Sequence, residues 1–350
     1  MSELDAANAV VATVTPGADE RPSDASKLPV DTGRSLTRRR RHGPLWHRFA
    51  EVGVRVMAAS AVLAVVLIFA FVLREAAPIF WEHSGSQLAD LVSPRQWANY
   101  DAPMYVWQPV GNVPKMNIVP LFIGTLKITL LALLFSVPLA IGSAIFVSQF
   151  APRRVREIVK PAIELLAGVP SVVLGFFALM VLATWVQGAF GLPYRLNSLV
   201  AAMGLSLAVI PVIFTISEDA LDAVPRQLKE ASLALGEREW QTTLRVVLPA
   251  ALPGIAAAVI LGFGRAIGET MVVLMASGNA AVMAPFDPTS SARTVTATIA
   301  SELGEVSQGD EHWRVLFLLG AMLFAVTFVL NRIGVAVVAR LHRKLTATSR

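Results

Sequence analysis

Long apolar stretches alternate with short polar segments along most of the chain. A helix that crosses the hydrocarbon core of a bilayer needs roughly 20 predominantly apolar residues. Six stretches meet this requirement, at about 54–73, 118–148, 161–187, 198–217, 250–277 and 314–338. Pro138 and Pro170 interrupt two of the longer stretches, so we expect tilted, kinked or partly buried helices there. The pattern predicts an all-α integral membrane protein with six transmembrane helices.

The polar segments divide the chain into parts of different composition. Residues 1–48 are rich in Ala, Asp, Pro, Ser and Thr, lack apolar periodicity and contain four consecutive arginines from Arg38. We expect a disordered basic cytosolic tail there, because such a composition buries too little apolar surface to fold. Residues 49–117 hold the first helix and an outer segment, 118–340 hold the other five helices, and 341–350 form a C-terminal tail.

Basic residues lie unevenly on the two sides of the predicted helices. With the N-terminus placed inside, 22 of the 30 lysines and arginines fall on the cytosolic side and six on the outer side. The positive-inside rule therefore predicts that both termini are cytosolic. The long segments at about 74–117 and 278–313 then face the exterior. The scattered basic blocks indicate membrane orientation and no nucleic-acid partner.

Three charged residues lie near the ends of predicted helices. Lys127, near the outer end of the second helix, is expected to snorkel to the membrane interface. Glu164 and Glu218 lie at cytosolic helix ends, where we expect packing or gating instead of ligand binding. None of the three is predicted to contact a substrate.

Composition excludes several functional classes. The chain is 55% hydrophobic and 16% charged, which is too apolar for an ordinary soluble domain of 350 residues. It contains no cysteine, so disulfides, thiolate metal sites and cysteine nucleophiles are excluded. Its five histidines lack the spacing of metal ligands, and none of its six lysines follows a glycine, as a nucleotide-binding Walker A loop requires. We expect no metal, no cofactor and no enzymatic activity in this chain.

A regular cytosolic segment lies between the fourth and fifth predicted helices, at about 218–249. Pro225 suits the first turn of a short helix, and Gly236 permits a left-handed stop. Apolar residues share one face of each of two short helices: Leu228, Ala231 and Leu235 on the first, and Trp240, Leu244 and Val247 on the second. Such a helix-turn-helix suits docking into a groove of another protein. An amphipathic connector at the bilayer surface is the alternative.

The fifth predicted helix carries two charged residues near the middle of the membrane, Arg265 and Glu269. Each ionised residue at a helix centre costs about 2.5–3.5 kcal/mol, so the pair needs compensation. Four residues apart, the two would share one helix face beside a close-approach seam of Gly264 and Gly268. The pair either braces the helix bundle or contacts an anion through the guanidinium. Thr270 adds a hydroxyl donor unless it bonds its own backbone.

The cytosolic segment resembles the EAA loop, which is the signature of ABC importer permeases. The matching residues are Glu230, Ala231 and Ser232, then Gly236, then Val246, Leu248 and Pro249. They follow the pattern EAA, three residues, Gly, nine residues, Ile, one residue, Leu-Pro, with Ser232 and Val246 as departures and the spacing intact. The resemblance implies that Glu230 is a polar contact to a cytosolic ATPase and that Gly236 orients the two helices. It also implies coupling roles for Ala231, Leu248 and Pro249.

A second resemblance covers about residues 118–340. The sequence GRAIGETMVVLMASGN is similar to a segment of the phosphate permeases of ABC importers, and its continuation fits the PstC type better than the PstA type. Further similarity lies in KPAIELLAGVPSVVLGFF and in SEDAL. In that family the arginine and glutamate of the motif are implicated in phosphate passage. The resemblance therefore implies a substrate-path role for Arg265, Glu269 and Thr270.

Together the resemblances imply a type I ABC importer permease (MetI-like) fold and a phosphate transport subunit of the bacterial inner membrane. The implied partners are a second permease subunit like PstA, an ATP-binding dimer like PstB, and an external phosphate-binding protein like PstS. ATP would be bound by the partner dimer. The alternatives are a permease for another oxyanion such as phosphonate, sulfate or molybdate, an ATP-independent secondary transporter or channel, and a membrane-bound signalling protein.

Overall fold

The computed structural model describes residues 45–82, 85–97, 101–111 and 113–348. Most of the predicted basic tail, including its run of arginines, lies outside these residues. The chain divides into two compact units, Met1–Ala61 and Val62–Arg350. In the first unit a helix begins at Leu45, and Arg55 pairs with Glu51 one turn earlier at 2.6 Å.

Helices form nearly all the regular structure of the described residues. In chain order they are α1 (Leu45–Ala76), α2 (Ile79–Glu82), α3 (Gly85–Asp90), α4 (Val119–Ile145), α5 (Arg153–Ala167), α6 (Ser171–Phe177), α7 (Ala183–Phe190), α8 (Ser198–Asp222), α9 (Arg226–Ala234), α10 (Glu239–Thr242), α11 (Leu248–Gly268), α12 (Met271–Ala276), α13 (Val295–Glu302) and α14 (Glu311–Thr348). Three π-helical turns connect to these helices. One extends α4 (Phe146–Phe150), one joins α6 to α7 (Ala178–Leu182), and one joins α10 to α11 (Thr243–Val247). Two short strands, β1 (Trp107–Gln108) and β2 (Lys115–Met116), form one antiparallel pair that the hydropathy pattern did not predict.

Six helices in the described part of the chain are long and apolar enough to cross a membrane. They are Phe49–Trp81, Val119–Phe150, Ser171–Phe190, Ser198–Asp222, Glu239–Gly268 and Glu311–Leu341. The predicted number of spans is therefore confirmed. Pro138 lies within α4 without ending it.

Two predicted span boundaries are wrong. The third span does not begin at 161, because α5 is a separate amphipathic helix with no buried residue and the chain restarts as α6 after Pro170. A residue that precedes proline is disfavoured in the α region, which separates the two helices. The fifth span does not continue to 277, because Glu269 takes an extended conformation with φ −71° and ψ 134°.

Helix α8 lies at the centre of the second unit and packs against α4, α5, α6, α11 and α12. Its buried face consists of small and aliphatic residues, including Ala201, Ala202, Leu205, Ala208, Val209 and Ile213. Helix α11 approaches this face through glycines. A Cβ atom on Gly262 would lie 2.5 Å from the side chain of Ile213, and one on Gly254 would collide with Ala220. Small residues allow the close helix contacts that hold a bundle together in lipid.

The two ends of the bundle carry different structures. We call the segment that contains α9 and α10 the docking loop, after its predicted role, and the docking-loop end consists of this loop and α5. The hairpin end consists of β1, β2, α13 and the α12–α13 loop (277–294). At the hairpin end, the carboxylate of Glu302 accepts hydrogen bonds from Arg293 at 2.7 Å, His312 at 2.9 Å and Trp107 at 3.1 Å. This cluster joins β1, α13 and the start of α14.

Lys127 does not snorkel as the sequence suggested. Its side chain is buried, and its ammonium group donates to the carbonyl oxygens of Ala284 at 3.1 Å and Asp287 at 3.2 Å and to Ser290 Oγ at 2.9 Å. Three acceptors match the three donors of an ammonium group. Lys127 therefore fixes the α12–α13 loop against α4.

Candidate functional site

The fifth span breaks at the predicted charged motif. Helix α11 ends at Gly268, Glu269 is extended, and α12 begins at Met271. The hydroxyl of Thr296, in the first turn of α13, donates to the carbonyl oxygen of Glu269 at 2.9 Å. Because the backbone leaves the helix before Glu269, the prediction that Arg265 and Glu269 share one helix face is wrong.

Arg265 lies in the last turn of α11, not near the middle of a continuous span, and its side chain is exposed. Its Nε donates to the carbonyl oxygen of Ala208 on α8 at 3.2 Å. Arg265 and Glu269 both lie within the described residues, and they do not form an ion pair. The guanidinium is thus oriented by a neutral backbone group, and no carboxylate in the described part of the chain pairs with it.

Glu269 and Thr270 form the break itself. The Oε1 atom of Glu269 accepts a hydrogen bond from the backbone N–H of Thr270 at 3.2 Å. The hydroxyl of Thr270 donates to the carbonyl oxygen of Gly268 at 3.4 Å, which is a long contact with its own backbone. All three proposed substrate-path residues therefore lie at one end of α11.

No described residue packs closely against the predicted glycine seam. Among the described residues, a Cβ atom on Gly264 would meet only Asn331 Oδ1 of α14, at 4.0 Å, and one on Gly268 would have no neighbour within 4 Å. The close approaches that sequence reasoning missed lie instead at Gly254, Gly262 and Gly334 of α11 and α14. The spacing of Gly264 and Gly268 could not reveal this, because it does not say which face of the helix meets a neighbour.

The docking-loop end has the predicted helix-turn-helix. Helix α9 begins directly after Pro225, and Gly236 has a left-handed φ of 88°. Glu230 and Ala231 are exposed, and so are large apolar side chains, with Leu235 87% and Trp240 51% exposed. Large apolar side chains of this loop are therefore left uncovered by the other described residues.

Ser232, a departure from the EAA pattern, stabilises the turn between the two helices. Its buried hydroxyl contacts Thr242 Oγ1 at 2.9 Å and donates to Glu237 Oε2 at 2.7 Å. Hydrogen bonds from Ser232 and Arg245 lower the pKa of Glu237 below its ordinary value. Leu248 and Pro249 begin α11 directly after the π-helical turn, so the docking loop passes into the fifth span without interruption.

A buried carboxylate links α5 to α8 at the same end. Glu218 is fully buried and pairs with Arg156 at 2.6 Å and Lys160 at 2.5 Å, and Arg156 also pairs with Asp222. The hydrogen bond to Glu218 raises the pKa of Lys160. The sequence predicted Glu218 as a packing or gating residue at a helix end and did not identify its partners on α5.

Residues 136–346 match the protein family described as binding-protein-dependent transport system inner membrane component. This segment is more than half of the chain. The chain belongs to this family. It is therefore a multi-pass protein of the inner membrane and a transport subunit that works with other components of a transporter.

Individual relatives agree with this membership. The chain is 37% identical over 262 residues to the phosphate transport system permease protein PstC of Mesorhizobium japonicum, covering 69% of this chain and 78% of that protein. It is 36% identical over 223 residues to the probable ABC transporter permease protein YqgH of Bacillus subtilis, covering 64% and 72%. In a solved bacterial ABC transporter that imports the polysaccharide alginate, one chain is similar in fold, with a TM-score of 0.56, 14% identity and coverage of 84% of this chain and 99% of that one.

Proposed function

We propose that this chain forms half of the translocation path for inorganic phosphate in an ATP-driven importer. The observation that carries the proposal is an exposed arginine, Arg265, in the last turn of the otherwise apolar helix α11. No carboxylate among the described residues pairs with this cation, which leaves it available to an anion that passes along the bundle. The relatives named as phosphate transport permeases support phosphate as the anion.

Arg265 is suited to contact phosphate because a guanidinium group presents several donors in a fixed plane to anionic oxygens. The bond from its Nε to Ala208 orients this plane. Glu269, in the adjacent break, supplies a negative charge that disfavours lasting capture of the anion, and Thr270 lies beside it. The exposed surfaces at Gly264 and Gly268 would allow close approach of a helix of the second permease subunit.

The docking-loop end would face the cytosol, with both termini, and would contact an ATP-binding dimer like PstB. Glu230 and Ala231 lie on the exposed surface, Gly236 sets the turn, and Leu248 and Pro249 connect the loop to α11. ATP would be bound by that dimer and by no site in this chain. A second permease like PstA would complete the path, and an external protein like PstS would deliver phosphate.

The test is ATP-driven uptake of labelled phosphate by the reconstituted four-component transporter. We expect Arg265→Gln and Glu269→Gln to abolish uptake while the complex still assembles. Arg195→Gln is the matched control, because Arg195 is also exposed and also donates to a backbone carbonyl, that of Leu179 at 2.7 Å. Uptake that survives in the Arg265 variant would refute the role of this residue.

Two further measurements separate the alternatives. Excess phosphonate, sulfate or molybdate should leave phosphate uptake unchanged, and strong competition by one of them would identify a different oxyanion. Uptake should stop when ATP is omitted or when Glu230→Lys prevents co-purification of the ATPase. Continued transport without ATP would indicate a secondary transporter.

A further inference from the structure

The α12–α13 loop has an apolar tip that is not covered by other described residues. Phe286 is 97% exposed, between Pro285 and Asp287. The tip borders a groove of about 570 Å³ lined by Ile123, Leu126, Lys127, Leu130, Leu131, Leu134, Pro285, Phe286 and Pro288. Apart from Lys127, whose ammonium group points into the loop, these residues are apolar. The groove therefore has an apolar surface at the side of the bundle.

This groove continues an exposed apolar strip on α4. Leu126, Leu130 and Leu134 are spaced by one helical turn and are 46%, 52% and 66% exposed. The strip belongs to a span of the membrane and contains no polar side chain. It differs in this respect from the open face of α11, which carries Arg265. An apolar strip on a span is suited to contact with lipid, and the loop tip extends that surface.

Several backbone carbonyl groups of the loop find donors inside the protein. Irregular backbone at membrane depth is tolerated only where its polar groups find partners in the protein. Lys127 binds the carbonyl oxygens of Ala284 and Asp287. The start of α8 provides further donors: the backbone N–H of Leu199 binds the carbonyl oxygen of Pro288, and the N–H and hydroxyl of Ser198 bind that of Ser290. Two prolines in the loop have no N–H group that needs an acceptor.

We propose that residues 284–290 form a lipid-contacting loop, in which Phe286 inserts among the acyl chains of the leaflet at the hairpin end. Lys127 makes this insertion possible by binding the loop carbonyls from inside the protein. The loop lies at the boundary of the hydrocarbon layer and not deeper, because Asp287 is exposed and stays charged. Its carboxylate accepts hydrogen bonds from the hydroxyl and the N–H of Thr289, which lower its pKa.

The absence of cysteine from the chain makes a direct test possible. A nitroxide label is attached to Phe286→Cys in the assembled transporter, in nanodiscs of phosphatidylethanolamine and phosphatidylglycerol. Collision rates are measured with oxygen, which concentrates in lipid, and with a water-soluble nickel chelate. Leu134→Cys provides the lipid reference. Glu305→Cys, an exposed position at the hairpin end, provides the water reference.

We expect the label at position 286 to collide with oxygen at a rate close to that at position 134 and to be several-fold less accessible to nickel than at position 305. Nickel accessibility equal to that at position 305 would overturn the proposal. Protection from both agents would also overturn it, because it would mean that another subunit covers the tip.

A second variant tests the part assigned to Lys127. Lys127→Met preserves an apolar stem but removes the ammonium group, leaving two loop carbonyls without their donor. We expect the label at position 286 to become more mobile and its oxygen collision rate to fall toward that of position 305. An unchanged rate in this variant would show that the loop contacts lipid without the support of Lys127, and would overturn that step.

Discussion

Replacing Gly124 by alanine should loosen the hairpin end, because Gly124 is where α4 touches the segment before α13. A Cβ atom added there would lie far inside contact distance of the carbonyl oxygen of Arg293, and 3.2 Å from its carbonyl carbon. Both neighbours are backbone atoms that cannot rotate away. The segment must therefore move as a whole.

That movement has a second cost. The next residue of α4, Thr125, accepts a hydrogen bond from the backbone N–H of Val295 at 3.0 Å, and a displaced segment loses it. Overpacking costs about 1–3 kcal/mol and a lost hydrogen bond about 0.5–1.5 kcal/mol, which gives a total loss of about 1.5–4.5 kcal/mol in the free energy of unfolding. The displacement would also strain the Arg293–Glu302 ion pair.

Gly142→Ala is the control, because Gly142 lies in the same helix and no described neighbour comes within 4 Å of an added Cβ atom. It should raise the free energy of unfolding by about 0.5–1 kcal/mol, since alanine restricts the unfolded chain more than glycine does. Equilibrium unfolding of both variants in mixed micelles with increasing SDS measures the difference. Equal free energies for the two variants would contradict the close contact between Gly124 and Arg293.

Three further predictions concern the docking-loop end. Glu218→Gln leaves Arg156 and Lys160 facing a neutral amide, and SDS unfolding should show a free energy of unfolding lower by about 1–3 kcal/mol. This loss is below the usual cost of a broken buried pair because the side chains of Arg156 and Lys160 are 36% and 30% exposed. Ser232→Ala should lower the free energy of unfolding in SDS by about 1 kcal/mol. It should also reduce ATP-driven uptake while the subunits still assemble, and full uptake would contradict the need for a rigid turn. The pKa of Glu237 is lowered from 4.5 in the folded protein. Ionised Glu237 therefore stabilises the turn at neutral pH, and this stabilisation is lost only as the pH falls below about 4.5. Hydrogen exchange in the turn, corrected for intrinsic rates, should therefore be unchanged between about pH 7 and pH 6, and a change there would mean that another group controls the turn.

The sequence predicts the spans well because hydropathy depends only on neighbouring residues. It fails at the span ends, where distant hydrogen bonds decide the backbone path. The break after Gly268 is supported by Thr296, which lies 27 residues beyond Glu269. A periodic pattern through this region indicates one helix, and nothing in the local sequence reveals the partner that holds the extended residue.

The candidate site shows the same limit. The local sequence predicted the two short helices and the left-handed Gly236, since both follow from turn chemistry and apolar periodicity. It gave no reason for serine at position 232, because the explanation lies in a hydroxyl contact with Thr242. Lys127 was misjudged for a similar reason: its acceptors lie 157 to 163 residues away in the chain. Burial of a charge could not be predicted without knowing the loop that surrounds it.

The uninterrupted helix from Glu239 to Gly268 has a mechanical consequence. Its 30 residues measure about 45 Å, with the docking loop at one end and Arg265 near the other. Gly254 lies near its middle, where α11 touches Ala220 of α8 without an intervening side chain. This contact is the point about which the helix would tilt. A tilt of ~10° about it moves the ends of the helix by roughly 4 Å in opposite directions and moves the backbone at Arg265 by about 3 Å.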